Sequence, residues 1–136
     1  MNTKQQLSHS EVNTIVQTIK DKLEEDNKSA AIAVVDEHGE LLAFLRTDGC
    51  PLASINIAMN KAFTAARERT KTSILGERSL AEGFPMTNFG DLRYISFGGG
   101  VPIIHESVVI GGVGVSGLTS EEDEQLAEMG IATINS

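Results

Sequence analysis

Charged side chains within an apolar stretch are the residues of this sequence best suited to chemistry. Asp48 lies just before such a stretch, and Lys61 and Arg67 lie within it. Lys61 is bracketed by Met59, Ala62 and Phe63, so a helix here could direct its ammonium group into a pocket, where it would bind a carboxylate or a propionate. Arg67 fits equally well on a solvated helix face, with its aliphatic stem lying on the surface. The sequence therefore favours Lys61 as a pocket residue and leaves Arg67 open.

The other reactive residue types form no complete catalytic or metal-binding motif. His9, His38 and His105 lack the i, i+4 spacing that places two imidazoles on one helix face, although folding could still bring them together. Ser116 lies among glycines but has no assignable base, which a hydrolase nucleophile needs. Cys50 is the single cysteine, which excludes an internal disulfide and a four-cysteine zinc site. It precedes a predicted helix start that could activate a thiol, but we favour a half-buried structural role.

Composition and charge limit the classes of partner. A length of 136 residues suits one domain, and 40% hydrophobic and 22% charged residues are typical of a globular protein. The net charge of −8 disfavours binding to nucleic acid, because Lys and Arg supply most of that affinity. No apolar run reaches the ~20 residues that span a bilayer, and the N-terminus lacks the apolar core of a signal peptide. We therefore expect one cytoplasmic domain over residues 1–136, with neither nucleic acid nor membrane as a partner.

Apolar periodicity and turn residues predict the elements that would position these groups. Helices are predicted over residues 8–26, 51–66, 73–81 and from 119 or 120 to 130, and strands over residues 30–35, 41–45, 93–97, 101–104 and 108–115. The first two strands form a hairpin and are apolar at nearly every position, so helices or another subunit should cover both faces. The links between the last three strands are too short for crossover helices. The order therefore predicts an α/β (α+β) fold, with helices packed on an antiparallel sheet of about five strands.

Two glycine-rich segments could allow a ligand or a backbone to approach closely. Residues 112–117 match the G-x-G-x-x-G pattern of dinucleotide-binding proteins. However, four carboxylates at the start of the following helix would repel a phosphate, and too little sequence follows for the rest of such a unit. We therefore interpret these glycines as points of close approach. Gly98, Gly99 and Gly100 are equally compatible with a ligand platform of exposed N–H groups and with a wide turn that needs positive φ angles.

Several short segments, in a shared order and spacing, resemble those of the GlcG/HbpS-like family, which includes the C-terminal domain of PduO-type proteins. The matching segments are residues 33–36 with Gly39 and Leu41, and residues 46–49, 61–65, 98–102, 112–117 and 122–124. Together they span about residues 10–132. The resemblance implies a profilin-like domain, assembly into dimers or higher homo-oligomers, and, as in several members, binding of haem or a related tetrapyrrole.

The resemblance also implies where a small-molecule ligand binds. By position, the family-like residues of this pocket are Arg46, Asp48, Lys61 and the loop of Gly98, Gly99 and Gly100. Phe97 and His105 are predicted to meet the ligand as well. The leading hypothesis is a binder of haem or another small organic cofactor that is accessory to catabolism of small metabolites such as glycolate, glycerol or propanediol. Its cleft would lie between the second helix and the glycine loops, at a contact between subunits.

Two other classes of function stay open. One is an enzyme acting on a small hydroxy or keto metabolite, in which Lys61, Asp48 and His105 would stabilise charge and transfer protons. The other is a structural or regulatory oligomer whose apolar hairpin serves only as an assembly surface.

Overall fold

The computed structural model describes residues 6–135, which form four α-helices, four β-strands and a short 3₁₀ helix. In chain order these are α1 (His9–Glu25), β1 (Ala31–Asp36), β2 (Leu41–Arg46), α2 (Ser54–Glu68), α3 (Thr72–Glu82), the 3₁₀ helix (Met86–Phe89), β3 (Gly100–His105), β4 (Val108–Ser116) and α4 (Ser120–Ala132). The α/β (α+β) class is confirmed. Every predicted helix and all but one of the predicted strands are present.

The strands form a single antiparallel sheet in the order β2-β1-β4-β3. The central strands are β1 and β4, and Ala31 of β1 lies opposite both Arg46 of β2 and Ser116 of β4. At the other end of the sheet, His105 lies opposite Val108 across the second hairpin. The two hairpins therefore lie side by side, and β2 and β3 are the sheet edges.

The sheet has four strands rather than the predicted five, because residues 93–97 do not form a strand. The segment instead runs along α2. The Thr64 hydroxyl accepts a hydrogen bond from the Ile95 backbone N–H at 2.9 Å. Its one proton is shared between the Asn60 carbonyl at 2.8 Å and the Arg93 carbonyl at 3.1 Å. A side chain of the helix thus satisfies backbone groups that a neighbouring strand would otherwise satisfy.

Helix α2 covers one face of the sheet, and α1 and α4 cover the other. The layer beneath α2 is built from small residues: Ala31, Ala33 and Val35 of β1 with Ala58, Ala62 and Ala66 of α2. The layer on the opposite face is larger and contains Ile32 and Val34 of β1 with Ile15, Ile19 and Leu23 of α1. Both faces of β1 are therefore covered by helices, as predicted.

The edge strand β2 is less covered than its apolar sequence predicts. Leu41 is 50% exposed and Leu42 is 45% exposed. Helix α1 covers the later part of β2, where Ala43 and Leu45 pack against the core, and α2 lies mainly over β1 and β4. The start of β2 is therefore left uncovered.

The close approach of α2 to β4 depends on glycine. A Cβ atom at Gly114 would lie 2.1 Å from the Ala58 carbonyl oxygen, far inside van der Waals contact. This contact confirms the interpretation of the glycines in residues 112–117 as points of close approach.

The two predicted capping boxes are present, one at each terminal helix. The Ser8 hydroxyl accepts from the Glu11 N–H at the start of α1, and the Thr119 hydroxyl accepts from the Glu122 N–H at the start of α4. In both cases the glutamate side chain returns to the N-cap backbone N–H. Between residues 6 and 135, no helix is both long and apolar enough to cross a membrane.

Candidate functional site

Lys61 lies in the interior of the protein, where it forms an ion pair with Asp123. The side chains are 1% and 2% exposed, and Lys61 Nζ lies 3.2 Å from Asp123 Oδ2. Lys61 Nζ also donates to the Val115 carbonyl oxygen at 2.9 Å. The ammonium group of Lys61 thus points inward, and its charge is matched by a carboxylate of α4. That Lys61 binds a ligand carboxylate in a pocket stays a prediction.

Asp123 is the partner that sequence reasoning missed. It lies in the first turns of α4, and the inward spacing continues with Leu126, Ala127 and Gly130. Its second oxygen, Oδ1, accepts a hydrogen bond from the Leu118 backbone N–H at 3.1 Å. The i, i+3, i+4, i+7 pattern was the available signal, because it places this one acid of the four on the buried side of the helix.

Burial favours the uncharged form of both members of the pair. Desolvation lowers the pKa of Lys61 and raises the pKa of Asp123, while their mutual attraction and hydrogen bond act in the opposite direction. Opposed shifts of this kind are common at functional sites and also occur in structural ion pairs.

Phe97 and Gly99 close the site above the ammonium group. The Phe97 ring centroid lies 5.1 Å from Lys61 Nζ, within the range of a cation–π contact, while the ring is 45% exposed. Gly99 has φ of +130°, and a Cβ atom there would lie 2.5 Å from Lys61 Nζ. The loop of Gly98, Gly99 and Gly100 is buried and packs on the lysine rather than forming an open platform.

The remaining predicted ligand residues do not join this cluster. Arg46 lies at the exposed end of the edge strand β2, and Asp48 follows it in an exposed turn whose carbonyl accepts from Ser29. His105 is exposed and lies at the opposite end of the sheet from Arg46, at the β3–β4 turn. The structure thus joins Lys61, Phe97 and the three glycines, and leaves the other three residues apart.

The histidines and Cys50 occupy separate places. His9 starts α1, His38 lies in the β1–β2 turn and His105 ends β3, and all three are exposed. Cys50 is half-buried in a turn four residues before α2, and desolvation raises the pKa of its thiol, although Arg46 acts to lower it. Within the described part of the chain, no three His, Cys, Asp or Glu residues are grouped to hold a metal ion.

A groove lies at the far end of α2, and sequence reasoning did not identify it. It has a volume of about 530 Å³ and an adjoining part of about 220 Å³. Ala66, Ile104, Val108 and Val109 give it an apolar floor. Its rim carries His38, Glu37, Arg67 and Arg69. We call this feature the α2-end groove.

The two arginines bring positive charge to the α2-end groove in an otherwise acidic protein. Arg67 Nε donates to the Tyr94 hydroxyl at 3.3 Å, and its Nη1 lies 3.5 Å from the His38 carbonyl oxygen, so both hydrogen-bond partners are neutral. Arg69 is the C-cap of α2 with φ of +56°, and no carboxylate of the described residues forms an ion pair with it. The sequence analysis considered Arg67 and left its role open, and it did not consider Arg69.

Comparisons with known proteins agree on one family. A family model described as "Haem degrading protein HbpS-like" matches residues 7–132. A 15.0 kDa protein from the dhaT–dhaS intergenic region of Citrobacter freundii is 37% identical over 118 residues, which cover 84% of this chain and 82% of that protein. Protein GlcG of Escherichia coli strain K12 is 35% identical over 122 residues, or 85% of each chain.

Solved structures with the same fold include a haem complex. The crystal structure of a PduOC–haem complex superposes with a TM-score of 0.90 and 26% sequence identity, covering 96% of each chain. The similarity in fold therefore extends over nearly the whole domain.

Proposed function

Because this chain belongs to the HbpS-like family, we propose that it binds a haem-type tetrapyrrole and acts as an accessory rather than a self-sufficient catalyst. The observation that carries the proposal is the match over 96% of the chain to a structure with haem bound. The surface supports it as well, because the domain exposes apolar side chains next to cations. A macrocycle with carboxylate arms needs both features.

The buried Lys61 pair is compatible with this function only as a support for the surface above it. The described contacts of the Lys61 ammonium are Asp123, Val115 and the Phe97 ring, with Gly99 packed beside it. None of these supplies an imidazole, thiolate or thioether for iron, so the cluster does not fit haem iron. The role of Lys61 in this proposal is to hold Phe97, whose ring is 45% exposed, in place.

Titration with hemin tests the proposal. The protein at a fixed concentration receives hemin in steps, and the absorption spectrum is compared with that of hemin alone. Binding predicts a displaced Soret band that saturates at a fixed ratio of hemin to subunits. Spectra equal to the sum of free hemin and free protein at every step would contradict the proposal.

We further propose that the protein forms a homo-oligomer through the edge strand β2. Leu41 and Leu42 expose large apolar surface on a strand whose outer hydrogen-bonding edge has no partner among residues 6–135. Replacing Leu42 by Lys is expected to lower the mass measured by light scattering to that of a smaller species. Leu80→Lys is the matched control, because Leu80 is 86% exposed on α3. Equal masses for wild type and Leu42→Lys would remove β2 as the contact.

A second candidate is an enzyme acting on a small hydroxy or keto metabolite, which the opposed pKa shifts of Lys61 and Asp123 favour. Phe97 would then have to move for a substrate to reach the ammonium group. A screen of hydroxy and keto acids, run with wild type and Phe97→Ala, tests this candidate. Turnover that rises in Phe97→Ala and disappears in Lys61→Met would support it, and no turnover in either protein would remove it.

A further inference from the structure

We propose that the α2-end groove is the binding site for the carboxylate arms and one face of a tetrapyrrole, and that His38 is its iron ligand. This inference rests on the proposed function, and it assigns that function to a part of the molecule away from the buried Lys61 pair. It departs from the ligand residues that the sequence predicts, of which none lines this groove.

The floor of the groove exists because the sheet extends beyond the end of α2. The helix ends at Glu68, with Ala66 still over β4, whereas β4 and β3 continue to their shared turn. Ile104 and Val109 form a cross-strand pair in this uncovered part. Ile104 is 48% exposed and Val108 is 56% exposed. A flat apolar ligand laid here would shield side chains that the fold itself leaves in water.

The rim supplies cations where the arms of such a ligand would end. Arg67 and Arg69 line the same stretch of rim, and both guanidinium groups are planar donors suited to paired contacts with a carboxylate. Arg67 is already oriented, because its guanidinium lies 5.0 Å from the Phe63 ring centroid and its Nε donates to Tyr94. The carboxylate of Glu37 also lies on the rim, so the site favours anions through the two arginines rather than through a uniformly positive surface.

His38 is the imidazole that faces the groove. Its side chain is 65% exposed, and Nε2 lies 3.4 Å from a carboxylate oxygen of Glu37. A carboxylate beside one ring nitrogen orients an imidazole whose other nitrogen binds a metal. Nδ1 has no hydrogen-bond partner among the described residues and is the nitrogen left for iron.

Binding of hemin and of iron-free protoporphyrin IX, measured with the same variants, tests the assignment. The double variant Arg67→Gln/Arg69→Gln is expected to weaken both ligands by about tenfold or more, because two charge-assisted contacts are lost. His38→Gln is expected to change the hemin spectrum while leaving the affinity for protoporphyrin IX within about threefold, because only iron ligation is removed. Arg78→Gln, an exposed arginine outside the groove, is the control for loss of charge.

The outcomes separate this inference from the function on which it rests. Wild-type protein that binds neither porphyrin would overturn both. Wild-type protein that binds, together with an arginine double variant of unchanged affinity, would overturn the groove alone. If Arg46→Gln loses affinity instead, the ligand binds near Arg46 at the end of β2, where the sequence predicts a ligand residue.

A second variant guards against misfolding, since Arg67 packs on Phe63. Val108→Asp places a carboxylate on the exposed floor of the groove without touching the core. It is expected to abolish binding of both porphyrins while the circular dichroism spectrum stays that of wild type. Full binding by Val108→Asp would contradict the assignment.

Discussion

Replacing Lys61 by Met tests the buried ion pair, because it removes the ammonium group while keeping a long apolar side chain. Asp123 is 2% exposed and would keep only its hydrogen bonds at Oδ1, such as that from Leu118 at 3.1 Å. Loss of one partner of a buried pair typically costs about 3–5 kcal/mol. Because these hydrogen bonds survive, we expect a loss of free energy of unfolding near the lower end of this range, about 3 kcal/mol. The whole free energy of unfolding of a domain is roughly 5–15 kcal/mol.

The pH dependence of this loss has a definite sign. Burial raises the pKa of Asp123 above its ordinary value of 3.8, and without the ammonium group nothing opposes that shift but hydrogen bonds. A group whose folded pKa is raised stabilises the fold below its unfolded pKa and loses that contribution as the pH rises through the folded value. The difference between wild type and Lys61→Met should therefore shrink as the pH falls from 7 towards 4.

Urea unfolding at several pH values measures both effects. Lys71→Met is the matched control, because its ion pair with Glu128 is 38% and 43% exposed and should contribute below about 1 kcal/mol. Lys61→Met/Asp123→Asn should recover part of the loss, since the amide carries no charge and keeps an acceptor for Leu118. Equal stabilities for Lys61→Met and Lys71→Met at pH 7 would refute the reasoning.

Two further substitutions test the packing and the surface electrostatics. Gly114→Ala should cost about 1–3 kcal/mol in urea unfolding, because its Cβ would meet the Ala58 carbonyl oxygen at 2.1 Å. Gly98→Ala should cost less, because the atom nearest to its Cβ would lie 3.2 Å away. Equal losses would contradict the close approach at Gly114. Hydrogen bonds from Arg93 lower the pKa of Asp91 from 3.8 to about 2. The stability that the ionised Asp91 contributes is therefore present above pH 3.8 and is lost as the pH falls towards 2. Over this interval the Tm of Asp91→Asn should fall less than that of wild type, and parallel curves of Tm against pH would contradict the prediction.

Local sequence patterns predicted most of the fold. The capping boxes mark the starts of α1 and α4, and the turn at residues 36–39 marks the first hairpin. The segment of residues 93–97 is the exception, because its β-type sequence is overridden by a tertiary contact. The hydroxyl of Thr64 accepts from the Ile95 N–H and donates to the Arg93 carbonyl, and no local pattern indicates a partner about thirty residues away.

The candidate sites show the same division. The inward direction of Lys61 followed from its apolar neighbours, but its pairing with Asp123 depends on how α4 crosses the sheet. The α2-end groove was not predictable, because it arises from the different lengths of α2 and the β3–β4 hairpin. Arg69 and Ile104 are far apart in sequence and line one cavity only after folding.

Native mass spectrometry after incubation with excess hemin tests tetrapyrrole binding most directly, because it counts ligands on each assembled species. The account predicts an oligomer whose mass rises by one hemin for each occupied site and by the corresponding mass of protoporphyrin IX when iron is omitted. Spectra that contain only ligand-free protein under both conditions would contradict it.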